Sequence, residues 1–369
     1  MVRALRNVLA RAVVLGLIGA AGVPLAAAAA VTGPGPNRPV AVSPRTIQLG
    51  VGVDLYAWPA LNYDTASAAE VAYVKALHAN SVMVSFPFFV SSRKSSAVYA
   101  TVRTPAPAQL AVFARLAMSQ GLYVVLRPLM DQGGIAESRA DWAPPDPQAW
   151  FASYQKFLLP YATMAQQAGI PEFYVGAEFS RFQTLSYWNG LDQALRQVYK
   201  GKLMYANNGG GVHSGEGGDS VTRSADAYPD LNVPDNVTVG RLTRRWAAYD
   251  RRLPARTALS EVGISGVRGA FKVPWQHHWP HPRLDASVQT RWFEAACHAA
   301  VAQHLGGIYF WAIGFGPSQL NTTLSAKNQG AWEDGPAERA VATCYSQVRE
   351  PAVLTQAPRS AGSSAPRRS

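Results

Sequence analysis

Short apolar runs alternate along the chain with longer segments in which apolar residues recur at helical spacing. The apolar runs predict strands over residues 47–54, 81–86, 122–127, 172–177, 202–206, 224–228, 256–260 and 307–311. The helical spacing predicts helices over residues 68–79, 107–120, 150–168 and 287–304. Eight strands alternating with helices predict an α/β protein with a single (β/α)8 TIM barrel over residues 47–350.

The alternative fold is an open, doubly wound sheet, because the sixth strand, 224–228, is short and polar. That fold commonly carries a glycine-rich phosphate-binding turn after its first strand. Here the first strand continues into Val53-Asp54-Leu55-Tyr56 instead. The missing turn favours the barrel.

The two ends of the chain differ from its body. Residues 1–30 combine three arginines, an apolar stretch and an alanine run, which is typical of a secretory signal peptide. A retained membrane anchor is the alternative, although the apolar stretch is short for a full span. Residues 31–46 are a linker rich in proline and glycine, and residues 351–369 are a disordered basic tail. We therefore expect a secreted or cell-wall-associated monomer without a membrane span in its mature form.

The formal net charge is +11, and six of the arginines responsible lie in the signal segment and the tail, which leaves +5 for the body. We find no basic stripe interleaved with aromatic residues, so nucleic acid is not an expected partner. Weak attraction to acidic cell-surface polymers is compatible with this net charge.

Cys297 and Cys344 are the only cysteines. A disulfide and two separate buried thiols both remain open, whereas a zinc site lacks suitably spaced histidines.

Two glutamates each follow a short apolar run. Glu178 ends Phe-Tyr-Val-Gly-Ala-Glu, and Glu261 follows Thr-Ala-Leu-Ser. A carboxylate is costly to bury unless it is paired. If both runs are strands of one barrel, both acids lie at its C-terminal mouth, where such folds keep their chemistry. Two carboxylates that face one cleft suggest glycoside hydrolysis.

Several segments resemble glycoside hydrolase family 113 in the expected order. The stretch from Trp150 to Phe179 is similar to the segment from helix three to strand four of that family. Four further segments resemble its strands five to eight: Lys202-Leu-Met-Tyr-Ala-Asn-Asn, Asp226-Ala-Tyr-Pro, Leu259-Ser-Glu-Val-Gly and Gly307-Ile-Tyr-Phe-Trp. The similarity covers roughly residues 47–345. The family belongs to a retaining clan of barrel glycosidases and includes β-1,4-mannanases, and it requires no cofactor or metal.

The resemblance implies a role for each matching residue. Glu178 matches the general acid/base and Glu261 the nucleophile, although either glutamate can instead cap a helix or pair with an arginine. Tyr228 matches a tyrosine that orients the nucleophile. Trp311 is expected to stack on a sugar, and a place in the core is the alternative.

Other polar and aromatic residues end or follow the predicted strands and suit recognition of sugar hydroxyls. These candidates are Asp54, Tyr56, Trp58, Arg127, Asp131, Asn207 and Asn208. Structural roles are the alternatives, including an ion pair between Arg127 and Asp131 and a turn at Asn208. Trp58, Trp142, Trp188, Trp275 and Trp279 also lie in regions that can border a groove.

Two positions depart from the clan pattern. Ala177 replaces an asparagine that contacts sugar, and Leu129 replaces a histidine. His277, His278 and His281 invite a metal site, but an aromatic loop beside a glycan groove is favoured. Asn236 and Asn321 begin glycosylation sequons.

The sequence thus predicts a secreted retaining hydrolase of β-linked polysaccharides or oligosaccharides, with mannan-type chains the leading substrate. The alternatives are the same machinery acting on another β-glycan, such as a bacterial envelope glycan, and a catalytically silent glycan-binding barrel.

Overall fold

A computed structural model describes residues 46–209, 211–316 and 322–349. The predicted signal peptide, almost all of the predicted linker, the basic tail and the sequon at Asn321 lie outside the described residues.

The described residues form nine strands and seven α-helices. In chain order they are β1 (Gln48–Asp54), α1 (Tyr63–Ala76), β2 (Ser81–Val90), β3 (Val98–Tyr99), α2 (Pro107–Ser119), β4 (Tyr123–Met130), α3 (Pro147–Ala168), β5 (Glu172–Ala177), α4 (Tyr187–Val198), β6 (Lys202–Asn208), β7 (Thr222–Asp226), α5 (Val239–Asp250), β8 (Ala258–Val262), α6 (Ala286–Ala302), β9 (Gly307–Gly314) and α7 (Pro336–Arg349). Short 3-10 turns follow β4 and β8, at Gln132–Gly134 and Ala270–Lys272.

Eight parallel strands close into a barrel. Neighbouring strands follow the order β1, β2, β4, β5, β6, β7, β8 and β9, and β9 pairs again with β1. Gln48 is opposite Gly307 in the closing pair, and Gly50 is opposite Ser81 on the other side of β1. The two-residue strand β3 lies outside the barrel, antiparallel to the end of β2. The predicted (β/α)8 TIM barrel is confirmed.

The strands are apolar because the barrel interior covers one face and the helices cover the other. Met83, Val125, Tyr174, Met204 and Tyr309 pack together as one buried cluster, formed by residues of five barrel strands. A larger apolar cluster lies between the strands and the helices. Trp142 and Trp188 are buried in that cluster and therefore do not border a groove.

Four strands are longer than predicted, namely Ser81–Val90, Tyr123–Met130, Lys202–Asn208 and Gly307–Gly314, and two others are displaced by two residues. The strand predicted over 224–228 is Thr222–Asp226, and the one predicted over 256–260 is Ala258–Val262. Glu261 therefore lies inside β8 instead of after it. Helices α4, α5 and α7 carry no sequence prediction. In α5 the buried apolar positions, Leu242, Trp246 and Tyr249, are few among many arginines.

Cys297 of α6 and Cys344 of α7 form a disulfide, which resolves the two alternatives left open by the sequence. The bond joins the last two helices around the barrel. Among the residues that the structure describes, no helix is long and apolar enough to cross a membrane.

Candidate active site

A cleft with a volume of about 930 Å³ lies at the C-terminal mouth of the barrel. Residues at the ends of β5 to β9, or in the loops that follow those strands, contribute to its lining, as does the loop after β4. Glu178 and Glu261 both line it, together with Tyr228, Asn208 and Trp311. The fold therefore brings the two predicted catalytic acids to one cleft, although 83 positions separate them along the chain.

Glu178 directly follows β5 and has a backbone φ of +60°. This left-handed conformation costs about 1–2 kcal/mol for a residue with a Cβ atom, so the surrounding structure must hold it. The Glu178 amide donates to the Ala206 carbonyl at 2.8 Å, and the next amide, of Phe179, donates to the Tyr205 hydroxyl at 3.0 Å. These bonds fix the direction in which the Glu178 side chain leaves the strand.

Arg139 contacts the Glu178 carboxylate. Its Nε donates to Glu178 Oε2 at 2.9 Å, and its Nη1 donates to the Met130 carbonyl at 2.6 Å. The Arg139 amide also donates to the Gln132 side chain at 2.8 Å. Glu178 thus pairs with an arginine, as one alternative reading of the sequence allowed, but the pair lies in the lining of the cleft.

Glu261 is buried and is held from two sides. The Tyr228 hydroxyl donates to Glu261 Oε1. Arg127 Nη1 lies 2.9 Å from Glu261 Oε2. Burial, and next the charge of Glu261, raise the pKa of Tyr228 well above its ordinary value, so the phenol stays protonated and remains a donor.

A buried polar network lies beneath Glu261. Arg127 is fully buried, and its Nη2 donates to Asp226 Oδ2 at 2.5 Å. The Ser260 hydroxyl donates to Asp226 Oδ1 at 2.8 Å and lies 2.7 Å from the Ser224 hydroxyl. Arg127 is therefore a support of the site and not a residue of its lining, and it pairs with Asp226 and Glu261 instead of Asp131.

The charges in this network act on one another. Burial lowers the pKa of Arg127, but the carboxylates of Asp226 and Glu261 outweigh that effect and raise it above its ordinary value. Burial raises the pKa of Asp226, and the opposing effects of Arg127 and the Ser260 hydroxyl do not fully offset it. Glu178 also contributes to both shifts. The two candidate acids therefore share one electrostatic environment.

Trp311 of β9 lines the cleft. The Arg127 guanidinium lies 5.5 Å from the centre of its ring. Gly52 lies close to this ring, and a Cβ atom at that position would come within 2.7 Å of Trp311 Cε3. Gly52 thus leaves the space in which the indole ring lies.

The candidates Tyr56, Trp58 and Asp131 are not among the residues that line the cleft. The Tyr56 hydroxyl donates to Asp131 Oδ2 at 2.7 Å. The Arg103 guanidinium packs over the Tyr56 ring at 4.6 Å and over the Trp58 ring at 4.9 Å. These contacts join the loops that follow β1, β3 and β4.

Asp54 is half-buried at the end of β1. Burial raises its pKa to about 7, and the nearby charge of Glu261 acts in the same direction. Arg139 and Arg127 oppose this shift, and Asp131 adds to it. Asp54 is therefore a third carboxyl group within electrostatic reach of the site.

The two asparagines at the end of β6, Asn207 and Asn208, have different surroundings. Asn208 lines the cleft, whereas Asn207 is buried and its amide donates to Glu216 Oε2. Glu216 also accepts from the His213 amide and from the Gln183 side chain, both at 2.8 Å. Asn207 therefore holds the loop after β6 in place.

Sequence reasoning missed Arg139, Asp226 as a partner of Arg127, and Ser260. Asp226 lies in a segment that resembles the sixth strand of the family, and this resemblance could have identified it, but nothing near Arg139 in the sequence pointed to Glu178.

Trp275 and His277 line the cleft, as expected for an aromatic loop, and the His277 ring lies edge-on to Tyr228 at 5.5 Å. Within the described part of the chain, no three His, Cys, Asp or Glu side chains are grouped as metal ligands.

An eight-stranded barrel with two glutamates in one cleft at its C-terminal mouth is the arrangement of a barrel glycosidase. The sequence profile of Glycoside Hydrolase Family 113 matches residues 56–334. The chain belongs to glycoside hydrolase family 113. Comparison with curated proteins finds no match.

Solved structures show the same fold. A GH113 β-1,4-mannanase is 18% identical with a TM-score of 0.65, and the match covers 81% of this chain and 99% of that one. The GH113 β-mannanase AaManA from Alicyclobacillus acidocaldarius, in complex with ManMIm, is 22% identical with a TM-score of 0.64, over 82% and 98% of the two chains. A β-glucuronidase from Ruminococcus gnavus is 11% identical with a TM-score of 0.53, over 82% and 50%.

Proposed function

We propose that this protein is a retaining glycoside hydrolase that cleaves β-linked polysaccharides or oligosaccharides, with mannan-type chains as the leading substrate. The observation that carries the proposal is the convergence of Glu178 and Glu261 on one cleft, with Glu261 held by Tyr228 and Arg127. The mannan assignment takes further support from the two β-mannanases that share the fold and the family.

The contacts of the two glutamates support different roles. Glu261 accepts from a phenol and faces a guanidinium, and both groups stabilise a carboxylate that carries negative charge and points in one direction. A nucleophile needs that state. Glu178 lines the same cleft and pairs with Arg139, and the acid/base role is left to it once Glu261 is the nucleophile.

In the proposed reaction, Glu261 attacks the anomeric carbon while Glu178 donates its proton to the leaving glycosidic oxygen. The bond between that oxygen and the anomeric carbon breaks, and a glycosyl ester forms on Glu261. Glu178, now ionised, removes a proton from water, which attacks the same carbon. Glu261 then leaves as a carboxylate, and Glu178 is protonated again.

We also propose that the protein is exported. The disulfide between Cys297 and Cys344 supports this, because disulfides persist mainly in oxidising compartments.

The test uses Glu178→Gln, Glu261→Gln and the control Glu294→Gln, whose residue lies on α6 outside the cleft. Each is assayed on mannan, on other β-glycans and on an aryl glycoside with a good leaving group. We expect Glu261→Gln to lose turnover on every substrate. Glu178→Gln should lose far less on the aryl glycoside, which needs little protonation. The control should match the wild type.

Unchanged turnover in Glu261→Gln would reject its role as nucleophile. Equal losses by Glu178→Gln on activated and unactivated substrates would reject the acid role. If the wild type hydrolysed a different β-glycan and not mannan, the mannan assignment would be rejected and the two-glutamate mechanism would stand. If the wild type bound glycans without hydrolysing them, the protein would be a catalytically silent glycan-binding barrel.

A further inference from the structure

Helix α5 and the turn after it carry five arginines on one face. The segment from Val239 to Arg252 reads Val-Gly-Arg-Leu-Thr-Arg-Arg-Trp-Ala-Ala-Tyr-Asp-Arg-Arg. At 100° per residue, its arginines fall within an arc of about 120° and extend for about 16 Å along the helix axis. We call this set the arginine stripe: Arg241, Arg244, Arg245, Arg251 and Arg252.

All five residues of the stripe are exposed, and none forms a salt bridge with another described residue. The described residues include every acidic residue of the chain except Glu350. The acid nearest in sequence is Asp250, which is buried. Burial raises the pKa of Asp250 to about 7, against the effect of Arg251, so it is a weak internal counter-charge for the stripe.

The stripe carries an energetic cost within the protein. Like charges at spacings of three and four residues destabilise a helix, and Arg241 stands in that relation to both Arg244 and Arg245. The buried face of α5 needs only Leu242, Trp246 and Tyr249. Packing therefore does not require arginine at the exposed positions, and a negatively charged ligand would remove the repulsion.

The stripe runs into the active-site cleft. Arg252 and Tyr249 line the cleft together with Glu178 and Glu261. The Arg252 guanidinium lies 5.5 Å from the centre of the Tyr249 ring. A polymer that enters the cleft can thus continue along the exposed face of α5 without leaving the protein surface.

We propose that the arginine stripe binds the acidic groups of a polysaccharide chain, part of which lies in the cleft. The proposal rests on the proposed function, because continuity with a cleft that binds glycan is what favours a polysaccharide over another polyanion. Guanidinium groups suit carboxylates, which they bind through paired N–H donors.

The test compares two variants that change the net charge equally. The stripe variant is Arg241→Glu/Arg244→Glu/Arg245→Glu. The control variant is Arg115→Glu/Lys156→Glu/Arg339→Glu, which alters exposed residues of α2, α3 and α7. An Arg→Gln version of the stripe variant removes the charges without reversing them. Thermal unfolding checks that every variant is folded.

Binding is measured by titration calorimetry, in the wild type and each variant, with β-1,4-linked polymannuronate, neutral mannan and double-stranded DNA at several salt concentrations. We expect the wild type to bind polymannuronate more tightly than mannan, with affinity that falls as salt rises. The stripe variant should bind polymannuronate at least about tenfold more weakly at 50 mM salt, and its affinity should depend less on salt, since fewer ions are released. The control variant should stay close to the wild type.

Equal losses in the stripe and control variants would show a general charge effect and overturn the proposal. So would tighter binding of DNA than of polymannuronate, or no binding of polymannuronate by the wild type. The binding constants are read separately from turnover. Loss of polymannuronate binding with intact hydrolysis of neutral β-glycan would support the stripe, and failure to hydrolyse any β-glycan would count against the proposed function alone.

Discussion

Replacing Arg127 with methionine tests the buried network beneath the candidate nucleophile. Arg127 is fully buried and faces Asp226 at 2.5 Å and Glu261 at 2.9 Å. Methionine is shorter than arginine and loses the guanidinium that lies over Trp311, but it keeps an apolar stem in the core and removes the positive charge. Two carboxyl groups would then share one buried site without a cation.

The expected loss of unfolding free energy is large. Removing one partner of a buried ion pair costs about 3–5 kcal/mol, because the remaining charge is left uncompensated. Asp226 cannot turn toward water, since it is fully buried and its other oxygen accepts from Ser260. We therefore expect Arg127→Met to lower the unfolding free energy by an amount in this range, whereas the exposed control Arg115→Met should change it by about 0.5 kcal/mol or less.

The loss should depend on pH in a defined direction. Without Arg127, nothing comparable opposes the effect of burial, so the pKa of Asp226 rises further above its value in the unfolded chain. A carboxyl group whose pKa is raised in the folded state favours folding below its unfolded pKa, and this contribution is lost as pH rises through the folded value. The deficit of Arg127→Met relative to the wild type should therefore grow from pH 4 to pH 8.

Urea denaturation followed by circular dichroism measures these differences, and Arg127→Met/Asp226→Asn completes a double-mutant cycle. Because the second change removes the uncompensated charge of Asp226, the double variant should lose less than the sum of the single variants, by about 1–3 kcal/mol. A loss below about 1 kcal/mol in Arg127→Met, or strict additivity in the cycle, would refute the view that Arg127 neutralises the buried acids.

Two further predictions concern the disulfide and Asp54. Replacing both Cys297 and Cys344 with serine opens a link between residues 47 positions apart, and chain entropy alone predicts a loss of about 4 kcal/mol in urea denaturation. The same loss should follow reduction of the wild type, and no change on reduction would contradict it. Asp54→Asn should gain stability relative to the wild type as pH rises from 5 to 8, because the raised pKa of about 7 makes ionisation of Asp54 unfavourable in the folded state. If the unfolding free energies of Asp54→Asn and the wild type changed in parallel between pH 5 and 8, the raised pKa of Asp54 would be contradicted.

Two asparagines that look alike in the sequence take different roles in the structure. Asn207 and Asn208 are neighbours at the end of one strand, yet one lies beneath the loop after β6 and the other lines the cleft. Successive residues of a strand point to opposite faces, so neighbours take different environments. A shift of one residue in the predicted strand is enough to exchange their roles.

The sequence alone determined the barrel, the two apolar strands beside which Glu178 and Glu261 stand, and the family resemblance. These features depend on hydrophobic periodicity and on short motifs, which are local properties of the chain. Only the tertiary structure decided that Arg139 pairs with Glu178, that Arg127 pairs with Asp226, and that the exposed arginines of α5 join the cleft through Arg252. Such contacts join elements far apart in sequence, and their geometry is set when the barrel closes and places every strand end around one mouth.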